Sequence, residues 1–216
     1  MSESHNIFLT GGTGYMGSRL ASLLLRRGHK VRALVRGKSP NLPAGCDAVS
    51  GDALSDSYAP QVAGTDTFIH LVGVAHPGPS KAAEFRSIDL KALQCAVRAA
   101  SGAGVRHFVF VSVAHPSPVM KAYIAVREEC EQIIGAGGMN ATILRPWYVL
   151  GPGHRWPYAL VPFYWMMERI PATRERALRL GLVTLPQMIQ TMAAAVESPP
   201  NGVRVLDVPA IRGQDW

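Results

Sequence analysis

A glycine-rich turn near the start of the chain constrains its fold more than any other feature. Residues 7–9 are a short apolar run that predicts a buried strand, and residues 18–27 have the pattern of a helix. Gly11, Gly14 and Gly17 lie between them. In such a turn the first glycine makes a tight bend, the second lets backbone approach a pyrophosphate, and the third allows close helix–strand packing. Free N–H groups in the helix's first turn favour phosphate. The spacing predicts a dinucleotide-binding turn, with a merely tight strand–helix connection as the alternative.

The segment Thr-Gly-Gly-Thr-Gly-Tyr-Met-Gly at residues 10–17 also resembles a known family. It is similar to the nucleotide loop of the atypical and extended short-chain dehydrogenases/reductases, including their epimerase-like and NmrA-like branches. The resemblance recurs at residues 106–112 and 142–153 and covers nearly the whole chain. It implies a Rossmann fold, an α/β doubly wound parallel sheet, with a small C-terminal substrate lobe. It also implies cofactor contacts along the turn at Gly11, Thr13, Gly14, Tyr15, Met16 and Gly17.

Apolar strands alternate with helical patterns along the chain, which predicts a parallel sheet covered by helices on both faces. Further strands are predicted at residues 30–35, 48–50, 67–72, 105–112 and from 142, with a long helix at 81–100. The tail predicts a strand at 178–183, a helix at 186–197 and a strand at 203–208. We expect one domain over residues 1–216, with a core at about 5–145 and a lobe at about 146–216.

Bulk composition excludes several classes of protein. No apolar run reaches the roughly 18–20 residues of a membrane span, and no signal-peptide pattern is present. The three cysteines are widely separated and lack metal-ligand spacing, so we expect a reducing cytoplasm and no metal. The net charge is +7, but no basic run is interleaved with aromatic residues. An anionic cofactor accounts for this charge as well as nucleic acid would, and we expect no nucleic-acid partner.

The end of the second predicted strand lacks the carboxylate that binds the ribose 2′-hydroxyl of NAD in dinucleotide folds. No acidic residue occurs between Glu3 and Asp47. Basic and hydroxyl side chains lie there instead: Arg36, with Arg32, Lys38 and Ser39 nearby. An arginine is suited to pairing with a 2′-phosphate. The pattern favours NADP over NAD, with NAD still possible; the alternative is a solvated basic loop.

Other cofactor contacts are implied by the resemblance. In the family the Asp of a Gly-Asp pair commonly meets the adenine, which implicates Asp52, and the loop at residues 142–153 covers the nicotinamide. Gly73, at the end of the fourth strand, lets backbone approach a ligand. The implied contacts beyond the glycine turn are Arg36, Asp52, Ala53, Leu71, Val72, Gly73, Pro146, Tyr148 and Val149, with Trp147 on the substrate side.

The chemistry implied by the resemblance centres on Tyr123, Arg127 and Ser112. The family uses a Tyr, a Lys four residues later on the same helix face, and a Ser or Thr after the fifth strand. Tyr123 would donate a proton, Ser112 would polarise a carbonyl, and Arg127 would replace the Lys. Arginine keeps the charge but is a planar fork, so the replacement is not conservative. Cofactor binding without turnover, or a surface Tyr beside a surface Arg, are the alternatives.

Two histidine loops have nearly the same sequence. Residues 72–79 (Val-Gly-Val-Ala-His-Pro-Gly-Pro) and 111–118 (Val-Ser-Val-Ala-His-Pro-Ser-Pro) differ at only two positions. Both follow strands that should be neighbours, which predicts His76 and His115 on the substrate side of the cleft. Proline after each histidine favours an extended backbone there. The alternative is two loop histidines bonded to backbone.

An aromatic and methionine-rich segment at residues 156–170 precedes Pro171, and Arg174, Arg176 and Arg179 follow. It fits the wall of a pocket for an apolar substrate, a partner surface, an interfacial membrane helix or simple core. Together these features predict a cytoplasmic NADP(H)-dependent oxidoreductase acting on a small, apolar carbonyl or quinone-like substrate. The rival is a non-catalytic redox sensor of the NmrA kind or an accessory subunit of a respiratory complex. The substrate and the oligomeric state stay open.

Overall fold

The computed structural model describes residues 3–37, 41–117, 119–152 and 159–213. Within these residues a seven-stranded parallel sheet has the strand order β3-β2-β1-β4-β5-β6-β9. Its strands are β1 Asn6–Thr10, β2 Lys30–Val35, β3 Asp47–Ser50, β4 Thr67–His70, β5 His107–Val111, β6 Asn140–Leu144 and β9 Val203–Leu206. Two short strands, β7 Tyr148–Leu150 and β8 Leu182–Thr184, pair in parallel as a separate small sheet.

The helices cover the sheet on both faces. They are α1 Gly17–Arg26, α2 Ala82–Glu84, α3 Lys91–Gly102, α4 Lys121–Ala136, α5 Val161–Met167, α6 Pro171–Arg179, α7 Leu185–Glu197 and α8 Val208–Arg212. A π-helical segment, Phe85–Leu90, joins α2 to α3. The helix predicted at residues 81–100 is therefore confirmed, and so is the doubly wound α/β fold.

The two faces of the sheet have separate cores because neighbouring residues of each strand point to opposite sides. In β1, Phe8 packs on one face and Ile7 and Leu9 on the other, and all three are buried. The rings of Phe68 and Phe8 have centroids 5.3 Å apart, and those of Phe68 and Phe108 are also 5.3 Å apart. This aromatic row lies under α3 and α4, while α1 and α7 cover the opposite face.

Strand order places the candidate site. The chain proceeds from β1 to β2 and β3 on one side, then crosses to β4 on the other side of β1. Ligands in open α/β sheets bind outside the carboxyl ends of the strands at such a reversal. The turn after β1, which carries the three glycines, therefore lies at the centre of the expected crevice.

The C-terminal region differs from its prediction. The predicted strand at 178–183 is wrong, because α6 continues to Arg179 and only β8 is extended. Pro171 begins that helix, and its Ala, Arg and Glu residues favour helical backbone. The helix predicted at 186–197 is confirmed as α7, and Thr184 forms a capping box with Gln187. The strand predicted at 203–208 ends early, since Asp207 caps α8 by accepting the Ala210 N–H at 3.1 Å.

Candidate cofactor and active site

A cleft of about 450 Å³ opens at the carboxyl ends of β1, β2 and β4. It contains many of the residues predicted to contact a cofactor, drawn from four separate loops. These are Gly11, Thr13, Gly14, Arg36, Asp52, Ala53, Leu71, Val72 and Gly73. The other predicted contacts, Tyr15, Met16, Gly17, Pro146, Tyr148 and Val149, are not part of this lining.

The structure gives a different reason for the presence of glycine at positions 11, 14 and 17. Gly11 has φ +80°, and a Cβ there would lie 2.8 Å from the Leu71 carbonyl carbon. A Cβ at Gly17 would overlap the Gly11 carbonyl oxygen, so this residue allows α1 to pack against the turn. A Cβ at Gly14 would meet only that same oxygen, at 3.2 Å, and would otherwise extend into open space. The turn therefore presents bare backbone to the cleft, as close approach of a pyrophosphate requires.

The start of α1 is suited to an anion. Met16, at the N-cap position, makes no side-chain capping bond, and the first turn carries no acidic residue. The first N–H groups of a helix have no partner within the helix, and its dipole places partial positive charge there. A phosphate of a bound dinucleotide fits both properties.

Three charged side chains that line the cleft are Arg36, Asp52 and Lys81. Arg36 is exposed just after β2 and makes no ion pair with the residues that the structure describes. Lys81, which the sequence reasoning missed, also lines the cleft, and its Nζ donates to the Ala75 carbonyl at 2.7 Å. Asp52 is exposed and accepts the Leu54 N–H at 3.1 Å.

Arg32 does not belong to this group, contrary to the prediction. Its Nε donates to Asp47 at 3.2 Å, and its Nη1 donates to the Gln61 carbonyl at 2.6 Å. Arg32 lies inside β2 in register with Asp47, so it is directed away from the strand end. Lys38 and Ser39, predicted to assist, lie outside the described residues.

Arg127 and Tyr123 share one face of α4, as their spacing predicts, but Arg127 is not a surface residue. The guanidinium is buried and forms an ion pair with buried Asp89. Its carbon lies 5.0 Å from the Tyr123 ring centroid, and its Nη1 donates to the Val111 carbonyl at 3.2 Å. Burial raises the pKa of Asp89, while Arg127 and the N–H of Val74 act in the opposite direction. Sequence reasoning missed Asp89, an acid set among apolar helix residues.

The Asp89–Arg127 pair lies directly behind the wall of the cleft at Gly73. A Cβ on Gly73 would be 2.6 Å from Arg127 Nη2 and 3.1 Å from Asp89 Oδ1. Only glycine lets the backbone after β4 lie against this pair. Tyr123 packs on Phe85 with ring centroids 4.9 Å apart and stays partly exposed. The buried pair thus places Tyr123 near the β4 end of the cleft, although neither Tyr123 nor Arg127 lines it.

Ser112 is buried at the end of β5, and its hydroxyl donates to Glu131. Glu131 also accepts from Arg145 Nε at 3.1 Å. The hydroxyl hydrogen is therefore directed to a carboxylate and not to the cleft. Glu131 was missed by the sequence reasoning, but its spacing offered a signal. It follows Arg127 by four residues and so continues the same face of α4.

The two histidine loops differ in structure despite their matching sequences. His76 is exposed with φ +50°, so the predicted extended backbone is wrong there. Proline disfavours, but does not forbid, other backbone conformations in the residue before it, and this loop turns at His76. His115 Nδ1 lies 3.1 Å from Glu128, and its Nε2 lies 3.5 Å from Glu131. Both loops leave neighbouring strands, with His70 opposite Phe110. A chemical role for either histidine stays a prediction.

The segment after β6 packs against the glycine turn. The Pro146 carbonyl accepts the Ala114 N–H at 2.8 Å, which joins the loops that follow β5 and β6. A Cβ on Gly151 would overlap the Tyr15 hydroxyl, so β7 lies against the turn through Tyr15. Trp147 and Tyr148 pack edge to face, with ring centroids 5.4 Å apart. Residues predicted to lie near the nicotinamide are thereby brought beside the turn, and their ligand contacts stay a prediction.

Comparison with known proteins agrees with this geometry. A family model described as NAD(P)H-binding matches residues 11–156. A ceramide reductase of Caulobacter vibrioides is 25% identical over 215 residues, which cover 97% of this chain and 67% of that protein. An uncharacterized sugar epimerase of Bacillus subtilis, YhfK, is 30% identical over 152 residues, covering 65% of this chain and 70% of the relative.

A solved structure shares the fold. The Bordetella bronchiseptica enzyme WbmH, in complex with NAD+, superposes with a TM-score of 0.71 at 19% identity, covering 95% of this chain and 76% of WbmH. The glycine turn, the parallel sheet and the matched family model lead to one conclusion. The chain belongs to the NAD(P)H-binding family, within the short-chain dehydrogenases/reductases and their epimerase-like relatives.

Proposed function

We propose that this protein is an NADPH-dependent reductase of an apolar carbonyl compound. The observation that carries the proposal is the buried Asp89–Arg127 pair, which contacts the cleft wall at Gly73 on one side and Tyr123 on the other. The pair thereby holds Tyr123, the proposed proton donor, near the β4 end of the cleft. A bound NADPH supplies a hydride.

The cleft residues divide into a phosphate part and an adenosine part. Bare backbone at Gly14 and the N-terminus of α1 would bind the pyrophosphate. Asp52 and Ala53 would contact the adenine. Arg36, exposed at the mouth of the cleft, would pair with a 2′-phosphate and so favour NADPH over NADH.

Tyr123 would donate a proton to the carbonyl oxygen when the hydride adds to the carbonyl carbon, so that the product is an alcohol. The positive charge of Arg127 stabilises the phenolate that this step leaves, and Asp89 fixes the guanidinium in place. Ser112 would polarise the carbonyl only after its hydroxyl turns away from Glu131. The apolar character of the substrate is supported by Trp147 beside the turn and by the relative named as a ceramide reductase.

Dinucleotide binding without turnover is the second candidate. It is favoured by the engagement of Ser112 with the partly buried Glu131 and of Arg127 with the buried Asp89. A sensor of this kind would bind NADPH through the same cleft but would leave carbonyl compounds unchanged.

The experiment is an NADPH oxidation assay with a panel of ketones and quinones, comparing the parent with Tyr123→Phe. We expect the variant to lose reduction while its NADPH affinity stays within about twofold, because only the proton donor is removed. Tyr58→Phe is the matched control, since Tyr58 is buried in the core and does not line the cleft. No turnover by the parent on any substrate, with NADPH bound, would favour the sensor.

A further inference from the structure

Helix α5 exposes large apolar side chains to solvent instead of burying them. The exposed fractions are 52% for Phe163, 60% for Trp165, 49% for Met166 and 42% for Ile170. Phe163 and Met166 are one helical turn apart on α5, and Ile170 lies beyond the end of that helix, at the N-cap of α6. Simple core, one of the interpretations of this segment, is therefore wrong for these residues. Trp156 and Tyr158, included in the sequence interpretation, lie outside the described residues.

Positive charge accompanies this apolar surface. The Arg169 guanidinium carbon lies 3.4 Å from the centre of the Trp165 ring. Arg174 and Arg176 are exposed on α6, the next helix, with Glu175 between them. The other acidic residue of the region, Glu168, is neutralised by Arg212 at 2.7 Å. The exposed charge is thus net positive, in a chain of net charge +7.

The same helix is joined to the candidate active site. Tyr164 is half-buried on α5, and its side chain lies close enough to Trp147 for a polar interaction with it. Trp147 in turn packs against Tyr148 of β7. One side of α5 therefore forms part of the wall near the predicted substrate side, while the other is exposed.

We propose that α5 and the beginning of α6 form a docking surface for an anionic lipid bilayer, through which an apolar substrate reaches the site. The substrate-delivery part rests on the proposed function, whereas the docking itself does not. Tryptophan and phenylalanine partition into the membrane interface, and flanking arginines are attracted to anionic headgroups. Within the described residues no helix is long and apolar enough to cross a bilayer. The proposed contact is therefore with the surface of the bilayer.

The test uses the full chain and vesicles of phosphatidylcholine alone or mixed with phosphatidylglycerol, followed by sedimentation. We expect binding to the anionic vesicles, and binding that is about tenfold weaker or more to the neutral ones. The double variant Phe163→Ser, Trp165→Ser should lower anionic-vesicle binding about tenfold or more, and Arg174→Ser, Arg176→Ser should lower it several-fold. The matched control is Val203→Ser, Val205→Ser, which removes exposed apolar side chains from β9 and should leave binding unchanged.

Tryptophan fluorescence locates the contact. A blue shift on addition of anionic vesicles should disappear in Trp165→Phe, which keeps an aromatic ring for insertion. Equal binding to both vesicle types, an unchanged double variant, or no binding at moderate salt would overturn the proposal. Self-association that the double variant abolishes, without vesicle binding, would overturn it in favour of a second copy as the occupant.

Failure of docking and failure of the proposed function are distinguishable. Vesicle binding is measured without cofactor or substrate, and reduction of a water-soluble ketone is measured without vesicles. If the chain docks but reduces nothing, the proposed reductase falls together with substrate delivery, and the docking surface stands. If it reduces the soluble ketone but does not dock, the surface proposal falls and the reductase stands.

Discussion

Mild acid should destabilise this protein because two histidines are buried in the sheet as neutral groups. His70, at the end of β4, lies between Phe108 and Phe110, and its Nδ1 is 2.8 Å from the Thr10 hydroxyl. Burial lowers its pKa to about 3, and the nearby Arg127 charge adds to this effect. Protonated His70 would be a charged group without solvent and would be repelled by the charge of Arg127.

His107, at the start of β5 and on the opposite face of the sheet, is in a similar position. Its Nε2 lies 3.0 Å from the Thr142 hydroxyl, and the residue is buried. Burial lowers its pKa to about 4, with repulsion from Arg204 and His5 contributing. Both histidines therefore stay neutral in the folded state at a pH where they are protonated in the unfolded chain.

The sign and size of the effect follow from linkage. An unfolded histidine titrates near pH 6.5, so between that value and about 4 the unfolded state binds more protons than the folded state. The free energy of unfolding is unaffected by these groups above pH 6.5 and falls as the pH decreases below it. At pH 5 each histidine lowers it by about 2 kcal/mol, and the two together by about 4 kcal/mol.

Urea unfolding followed by circular dichroism at pH 7.5, 6 and 5 measures this slope. The variants His70→Asn and His107→Asn should each lose about half of the decrease, whatever their stability at pH 7.5. Exposed His76→Asn is the control and should keep the full slope. A parent protein equally stable at pH 7.5 and 5, or single variants with the parent's slope, would refute the reasoning.

Three other expectations concern the site. Gly17→Ala should lower the free energy of unfolding in urea by about 1–3 kcal/mol, because the added Cβ would overlap backbone atoms. The control is Gly135→Ala, whose Cβ would lie in open space on α4. It should raise the free energy of unfolding by about 0.5–1 kcal/mol. Arg36→Ala should weaken NADPH binding roughly tenfold in calorimetry, because it removes a charge-assisted bond to the 2′-phosphate, and should leave NADH binding unchanged. Equal losses of affinity for the two cofactors would exclude a 2′-phosphate contact. Asp89→Asn should lower the free energy of unfolding by about 3–5 kcal/mol, since it leaves the Arg127 charge buried without its partner. An unchanged free energy of unfolding would contradict the buried pair.

Local pattern was enough to predict the glycine turn. The spacing of Gly11, Gly14 and Gly17 reflects contacts made within a few residues, and the structure shows the bend at the first and the close packing at the third. The alternation of apolar runs likewise predicted the sheet, because its central strands β1, β4, β5 and β6 are buried on both faces. These features depend on neighbours along the chain, which a single sequence displays.

Contacts between distant segments were not predictable in the same way. The tyrosine–arginine spacing placed Tyr123 and Arg127 on one face of α4, but not the carboxylate of Asp89, which comes from a different helix. The spacing after Arg127 places Glu131 on the same face of α4, but its bond with Ser112 joins two distant segments and is not visible in that spacing. The strand predicted at 178–183 was wrong because short apolar runs do not separate strand from helix end.

The central claim is that a dinucleotide lies over bare backbone at Gly14. Calorimetric titration of NADPH into the parent and into Gly14→Val tests it directly, because Gly14 lines the cleft and an added Cβ there has only the Gly11 carbonyl oxygen within 4 Å, at 3.2 Å. We expect the parent to bind NADPH and the variant to bind it roughly tenfold or more weakly, with a cooperative melting transition of the variant without ligand showing that it is folded. Equal NADPH affinity in the two proteins would contradict it.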